Sequence, residues 1–257
     1  MTGRHSPAVP LPETVAGPVI RVEGVSKVFG HGPAAVAALD RIDLQVERGR
    51  FVCLVGASGC GKSTLLHLLA HLDSPTSGSV QVEGRTALMF QEAALFPWLT
   101  VAGNVALALR LRGVPRRERP ALAASLLEMV HLSGFGSKRP HELSGGMRQR
   151  VALARALAQD ADLLLMDEPF GSLDAMTRDL LHAELERLWT DRGFTVLFVT
   201  HNVREAVRLA DRVLVLTSRP GRVAAAFDVD IPRPRRIETP AVSQMAGQRR
   251  VGQVVRE

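Results

Sequence analysis

An α/β fold built around a mostly parallel sheet is what this sequence predicts, and two observations carry the prediction. Five short runs, FVCLV, TALMF, LLLM, TVLFVT and VLVL, are rich in Val, Leu and Phe without polar alternation, as expected of parallel strands buried on both faces. Helical patterns lie between them: KSTLLHLLAHL after the first, SGGMRQRVALARALA before the third, AMTRDLLHAELERLW after it and VREAVRLA before the last. Strands that alternate with helices build such a sheet with helices packed on it.

The remaining segments extend this frame. VIRVEGVSKVF and IDLQVE alternate with period two, broken by Gly24, which fits a small antiparallel sheet with one exposed face. Residues 92–159 hold helical patterns, VAGNVALALRL and PALAASLLEMVHL the clearest, and predict a helical lobe inserted in the main domain. Residues 1–18 carry four prolines and no continuous apolar core, so a disordered leader is expected before a domain over 19–230, with a basic tail over 231–257. No internal repeat is visible, so one catalytic unit is expected.

Composition narrows the function. The chain of 257 residues is 46% apolar, enough for a substantial core. No apolar run approaches the roughly 20 residues needed to span a bilayer, so a membrane role must be peripheral. Cys53 and Cys60 lack metal-ligand spacing and sit in a strand and a loop of one motif, which fits reduced cytoplasmic thiols and excludes a disulfide scaffold. The net charge of +6 invites a nucleic-acid partner, but arginine outnumbers lysine 29 to 3 and no RNA-binding aromatic motif accompanies the basic stretches. RLRGVPRRER (110–119) and PRPRR (232–236) read as a solvated loop and a solvated tail, with an acidic lipid surface as the lesser alternative.

The residues just after each apolar run point to the chemistry. FVCLV leads into GASGCGKST, Gly56 to Thr64, which matches G-x-x-x-x-G-K-[ST] between a strand and a helix. Glycines let the backbone of Gly56, Ala57, Ser58, Gly59, Cys60 and Gly61 wrap a β-phosphate; Lys62 neutralises β and γ oxygens, Ser63 ligates Mg²⁺, and Thr64 closes the motif. A thiol at Cys60, near a helix N-terminus, is expected to tend toward thiolate. LLLM delivers Asp167 and Glu168, two carboxylates that a buried strand end would not hold without a task. Asp167 reads as the partner of Mg²⁺, Glu168 as the group that orients the attacking water. TALMF leads to Gln91, able to sense metal and water, and TVLFVT to His201, able to contact a γ-phosphate. In open α/β sheets ligands bind at the carboxyl ends of strands, so these four groups should share one edge. A second anion receptor, LSGGMRQR at 143–150, places a serine and two glycines at the start of another helix.

Taken together, GASGCGKST, Gln91 in MFQEAALFPW, LSGGMRQR, LLLMDEP, GSLDA and the TH at 200–201 form an ordered set that closely resembles the nucleotide-binding subunits of ABC transporters, from Val19 to about Phe227. The resemblance implies a P-loop NTPase fold of the ABC ATPase kind, with a parallel-sheet core, a small antiparallel β subdomain and an inserted helical lobe. It implies ATP and Mg²⁺ as cofactors, and a head-to-tail dimer in which Ser144, Gly145 and Gly146 bind the γ-phosphate held by the other copy, with Asp174 along the seam. Where the family commonly stacks a tyrosine on adenine, this chain has Phe29 and no tyrosine anywhere; the ring face suffices for stacking, and a core phenylalanine is the alternative.

LFPWLTVAGNVALAL, TSRPGRV at 217–223 and DIPRPRR at 230–236 look like the importers of nitrate, sulfonate, taurine and related solutes, although the usual SPRPGRI is altered here. That implies transmembrane permease subunits as partners, a periplasmic or extracellular solute-binding protein indirectly, and a peripheral place on the cytoplasmic face of the membrane. The pair could be two identical chains or this chain with a paralogue. Phe96, Pro97 and Trp98 would face a permease loop from an exposed groove, or else fill the lobe core. The rival function is a soluble ABC ATPase acting on nucleic acid or ribosomes. Such proteins usually carry two cassettes, a long coiled coil or a zinc insertion, none of which is present. A non-catalytic cassette would lack Glu168 or His201, and a P-loop kinase would lack LSGGMRQR.

Overall fold

The computed structural model describes residues 17–171 and 173–247; the leader up to residue 16 and the tail from 248 onward lie outside the described residues. In chain order these residues form β1 (Pro18–Phe29), β2 (Val36–Glu47), β3 (Phe51–Val55), α1 (Lys62–Leu69), β4 (Ser77–Val82), β5 (Thr86–Met89), α2 (Val101–Leu111), α3 (Arg119–Met129), α4 (Gly145–Leu157), β6 (Leu163–Asp167), α5 (Ala175–Arg192), β7 (Thr195–Thr200), α6 (Val203–Leu209), β8 (Arg212–Leu216), β9 (Val223–Asp228) and α7 (Pro240–Ala246).

Six strands make the main sheet in the order β5-β6-β7-β3-β8-β9, parallel except for the β8–β9 pair. The unbroken apolar runs have the cause expected of them: every residue of β3, β6 and β7 is buried. Alternate side chains enter two separate cores. Phe51, Cys53, Leu164, Met166, Val196 and Phe198 pack toward α5, α6 and the helical lobe. Val52, Leu54, Leu163, Leu165, Leu197 and Val199 pack with α1 and the antiparallel sheet β2-β1-β4. β4 carries no unbroken apolar run, and β9 is apolar over Val223–Phe227 but rich in alanine, with half-buried and exposed residues alternating at the sheet edge.

The helical lobe consists of α2, α3 and α4 packed on one another, and α4 also meets β5. The stretch expected as a solvated basic tail behaves differently at its start. Arg235 is buried, and its guanidinium donates to the carbonyls of Ile231, Val207, Ala210 and Val229. Arg233 donates to Leu209 O, pairs with Glu186 and Asp211, and lies 4.5 Å from the Trp189 ring centroid. These carbonyls lie around the ends of α6 and β9, where regular bonding stops, and two forked guanidinium groups supply their donors. Val242 of α7 is buried, and α7 packs on α6.

Candidate nucleotide site

β5, β6, β7 and β3 are consecutive in the sheet, so the groups that follow them emerge side by side. The loop after β3 is shaped by glycine. Gly59 and Gly61 have φ of 77° and 102°, and a Cβ on Gly61 would sit 2.6 Å from Leu39 Cδ2 and 2.8 Å from Ala38 O. A Cβ on Gly56 would lie 2.6 Å from Cys60 Sγ. Gly61 caps α1 without a side chain, which leaves the first N–H groups of the helix turned outward for an anion. The loop is held from behind by residues 217–222. Gly221 N donates to Ala38 O, its carbonyl accepts from Asp40 N, and a Cβ there would lie 2.2 Å from Cys60 O.

Lys62 is buried and folds back to donate to Gly56 O (2.8 Å) and Ala57 O (2.9 Å), with its ammonium 3.7 Å from Glu168 Oε1. Asp167 ends β6; burial pushes its carboxyl up, while the Ser63 hydroxyl acts in the opposite direction. That opposition fits a group whose charge a divalent cation beside Ser63 would stabilise. Glu168 sits at φ 42°, a left-handed backbone that costs on the order of 1 kcal/mol for a non-glycine residue. Its N–H donates to Val199 O, so the chain leaves β6 still tied to β7. This turn carries the side chain to His201, whose Nδ1 is 2.8 Å from Glu168 Oε2. Lys62, Asp167, Glu168 and His201 therefore gather as the strand order predicts.

The expected thiolate at Cys60 is corrected by the packing. Its side chain is buried against Gly56, and desolvation raises its pKa more than Lys62 and the nearby backbone N–H groups lower it. Phe29 is 45% exposed with Lys27 Nζ 5.0 Å from its ring centroid, which removes the core alternative. Trp98 is 67% exposed, and Phe96 is only partly covered. Phe96, whose ring centroid is 5.4 Å from that of Trp98, lines a groove of about 670 Å³ with Leu72, Leu88, Phe90, Leu107 and Leu111 among others.

Gln91 is exposed, and its loop is held by side chains that the motif reading passed over. Gln149 donates to Gln91 O, Arg155 donates to Ala93 O and Ala94 O, and buried Asn104 binds Phe96 N, Phe96 O and Thr100 O. Asn104 and Arg155 stand out in sequence as polar residues between small or apolar neighbours, whereas Gln149, between two arginines, carries no such signal. Ser144 caps α4 by accepting from Met147 N, and Leu173 Cδ2 lies 3.0 Å from the Cβ position of Gly146. Asp174 caps α5 through Thr177 N at 2.9 Å, a bond that holds its carboxyl below the usual range. Among the described residues, no hydrogen bond of Ser144, Gly145 or Gly146 reaches the phosphate loop.

The family profile described as ABC transporter matches residues 39–171. The chain belongs to the ABC transporter family. The cassette is 47% identical over 224 residues, 84% of each chain, to an uncharacterised ABC transporter ATP-binding protein of Methanocaldococcus jannaschii. It is 45% identical to the nitrate import ATP-binding protein NrtD of Synechocystis sp. over 221 residues, 83% of each chain. Against the taurine import ATP-binding protein TauB of Burkholderia pseudomallei the figure is 48% over 217 residues, 81% of this chain and 84% of that one. A post-hydrolysis dimer of an ATP-binding cassette bound to ADP and Pi superposes with a TM-score of 0.76 at 31% identity, covering 83% of this cassette and 100% of that chain. The cassette is thus an ATP-binding ATPase of the α/β P-loop kind.

Proposed function

We propose that the cassette is the ATP-hydrolysing subunit of a membrane importer, working as a head-to-tail pair around two ATP to drive uptake of a small solute of the nitrate, sulfonate or taurine kind. The observation that carries the pairing is the presence of two anion receptors on separate elements, the phosphate loop before α1 and Ser144–Gly146 before α4, with no hydrogen bond between them among the described residues. A second copy, identical or a paralogue, would set its Ser144, Gly145 and Gly146 against the γ-phosphate and Asp174 along the seam.

Within each site, Gly56 to Thr64 cradle the phosphates, Lys62 leaves its loop carbonyls for them, and Phe29 offers its exposed ring to adenine. Among the described residues no group of three or more His, Cys, Asp or Glu could hold a metal alone, so Ser63, Gln91 and Asp167 would share it with phosphate oxygens. Mg²⁺ there would neutralise charge on the β and γ oxygens. Glu168 orients and polarises the attacking water, and His201 holds Glu168 and the γ-phosphate in register.

The apolar groove beside Phe96 and Trp98 supports docking of a cytoplasmic permease loop. Among the described residues no helix is long and apolar enough to cross a membrane. A peripheral place on the cytoplasmic face is supported instead by the likeness to import ATP-binding proteins. A solute-binding protein would meet the permease and not the cassette. The relatives named for nitrate and taurine import also favour this assignment over a nucleic-acid or ribosomal ATPase. The test is to solubilise native membranes, capture the tagged cassette and identify its companions by mass spectrometry. A polytopic permease in about equal copies is expected; recovery only from the soluble fraction with nucleic acid or ribosomes would remove the transport role.

A further inference from the structure

Beneath His201 lies a buried chain of polar side chains that the nucleotide chemistry does not use. His182 of α5 is fully buried, and its Nε2 is 2.7 Å from Glu205 Oε1. Its Nδ1 is 3.2 Å from Arg208 Nη1. A guanidinium has no lone pair to offer, so Nδ1 accepts and the ring proton resides on Nε2, donated to Glu205. The second carboxylate oxygen of Glu205 accepts the hydroxyl of Thr200, and that hydroxyl oxygen accepts from Asn202 N at 3.0 Å. Every donor and acceptor in the run therefore has one direction, and Thr200 and Asn202 are joined across the peptide that bears His201. Burial tends to raise the Glu205 carboxyl, but the bonds from His182 and Thr200 leave it below the usual range.

The same stretch of α5 also grips the loop after Glu168. The ring of Phe170 stands edge-on to His182 at 5.3 Å, and Arg178, one turn before His182, donates to Phe170 O and Leu173 O. Arg208 closes the cluster on Asp179. The helix capped by Asp174 at the proposed seam thus holds the backbone after Glu168 directly and reaches the backbone around His201 through Glu205 of α6.

We propose that Thr200, Glu205 and His182 are positioning residues that set His201 against Glu168 and make that contact depend on where α5 sits. This rests on the roles proposed for Glu168 and His201 in hydrolysis. A second copy that settles on the Asp174 end of α5 would then move His201 and the Glu168 loop together, because the loop is bonded to α5 through Arg178 and Thr200 is linked to α5 through Glu205 of α6 and His182.

A double-mutant cycle in the full chain, read by single-turnover ATP hydrolysis at high protein concentration, tests this. Thr200→Val removes the hydroxyl at constant volume and should lower the rate about 10-fold with the ATP KM little changed, as for a group that acts only in the transition state. Thr200→Ser should restore most of the rate. In a His201→Ala background Thr200→Val should cost nothing further. Glu205→Gln, which keeps the volume and one acceptor, should show the same lack of additivity and serves if Thr200→Val fails to fold. Fully additive losses would overturn the proposal, as would a slow Thr200→Ser. If His201→Ala alone hydrolyses ATP at the native rate, the failure lies instead in the role given to His201.

Discussion

His201 and Glu168 meet at 2.8 Å through Nδ1 and Oε2, while the other oxygen of the same carboxylate faces Lys62 Nζ at 3.7 Å. Glu168 is thereby tied to the phosphate loop and to the end of β7 at once. Its left-handed backbone is the strain that makes both contacts reachable.

Removal of that carboxylate charge should separate binding from chemistry. Glu168→Gln keeps the shape, so ATP should still bind and draw two copies into a stable dimer on gel filtration. Phosphate release should fall at least about 100-fold, the usual scale for loss of a general base. Brisk hydrolysis by this variant would falsify the role of Glu168.

Phe29 should contribute to nucleotide affinity and little to turnover. Replacement by alanine removes a stacking face worth about 1 kcal/mol, so the ATP KM should rise roughly 5-fold with kcat unchanged, while Phe29→Tyr stays near native. An unchanged KM in the alanine variant would leave adenine without this platform.

Gly221 supports the phosphate loop from behind. A methyl there meets Cys60 O at 2.2 Å and Leu39 Cδ2 at 3.2 Å, and the backbone must yield. Gly221→Ala should weaken ATP binding, measured by titration calorimetry, and lower the melting temperature, at a cost of about 1–3 kcal/mol. Native affinity would mean that the two loops move apart freely.

Both thiols should resist alkylation in the folded chain without nucleotide, since Cys53 and Cys60 are buried and desolvation is the first cause of each raised pKa. Both groups stay neutral in either state below about pH 8.5; above it the unfolded chain loses thiol protons first. Stability should therefore fall as pH rises through the alkaline range, and serine at both positions should flatten that fall in a denaturant series. Rapid labelling of Cys60 at neutral pH would contradict its place in the loop.

Asn104→Ala should release the Phe96–Thr100 turn. Three hydrogen bonds in a buried site vanish, at a cost of about 1–3 kcal/mol. Hydrogen exchange of the 96–100 amides should accelerate well beyond that of β6. Equal protection would show the turn held by packing alone.

The sheet was legible in sequence because β3, β6 and β7 are buried on both faces and so are apolar throughout. The meeting of the groups at the ends of these strands was legible for a related reason: a lysine, two carboxylates and an imidazole directly after such runs have few structural explanations. Phe29, Trp98 and Cys60 were not decided by pattern, because exposure depends on which chain segments arrive from elsewhere. Gly221 in loop 217–222, for instance, comes against the Cys60 carbonyl from far along the chain. The partners of Gln149, Arg155 and Asn104 are backbone carbonyls and amides, which no residue type announces, so the polar residue inside a helical stretch is the only mark that Asn104 and Arg155 leave.

The guanidinium of Arg235 also determines where the cassette can be shortened. A fragment ended at residue 230 matches the boundary that the motifs invite, yet it strips Val207 O, Ala210 O and Val229 O of their donors and uncovers the face of α6 that α7 covers. Such a fragment should express poorly and aggregate, while one that ends at 247 should refold. For anyone who trims, fuses or tags this chain, the safe junction lies beyond α7.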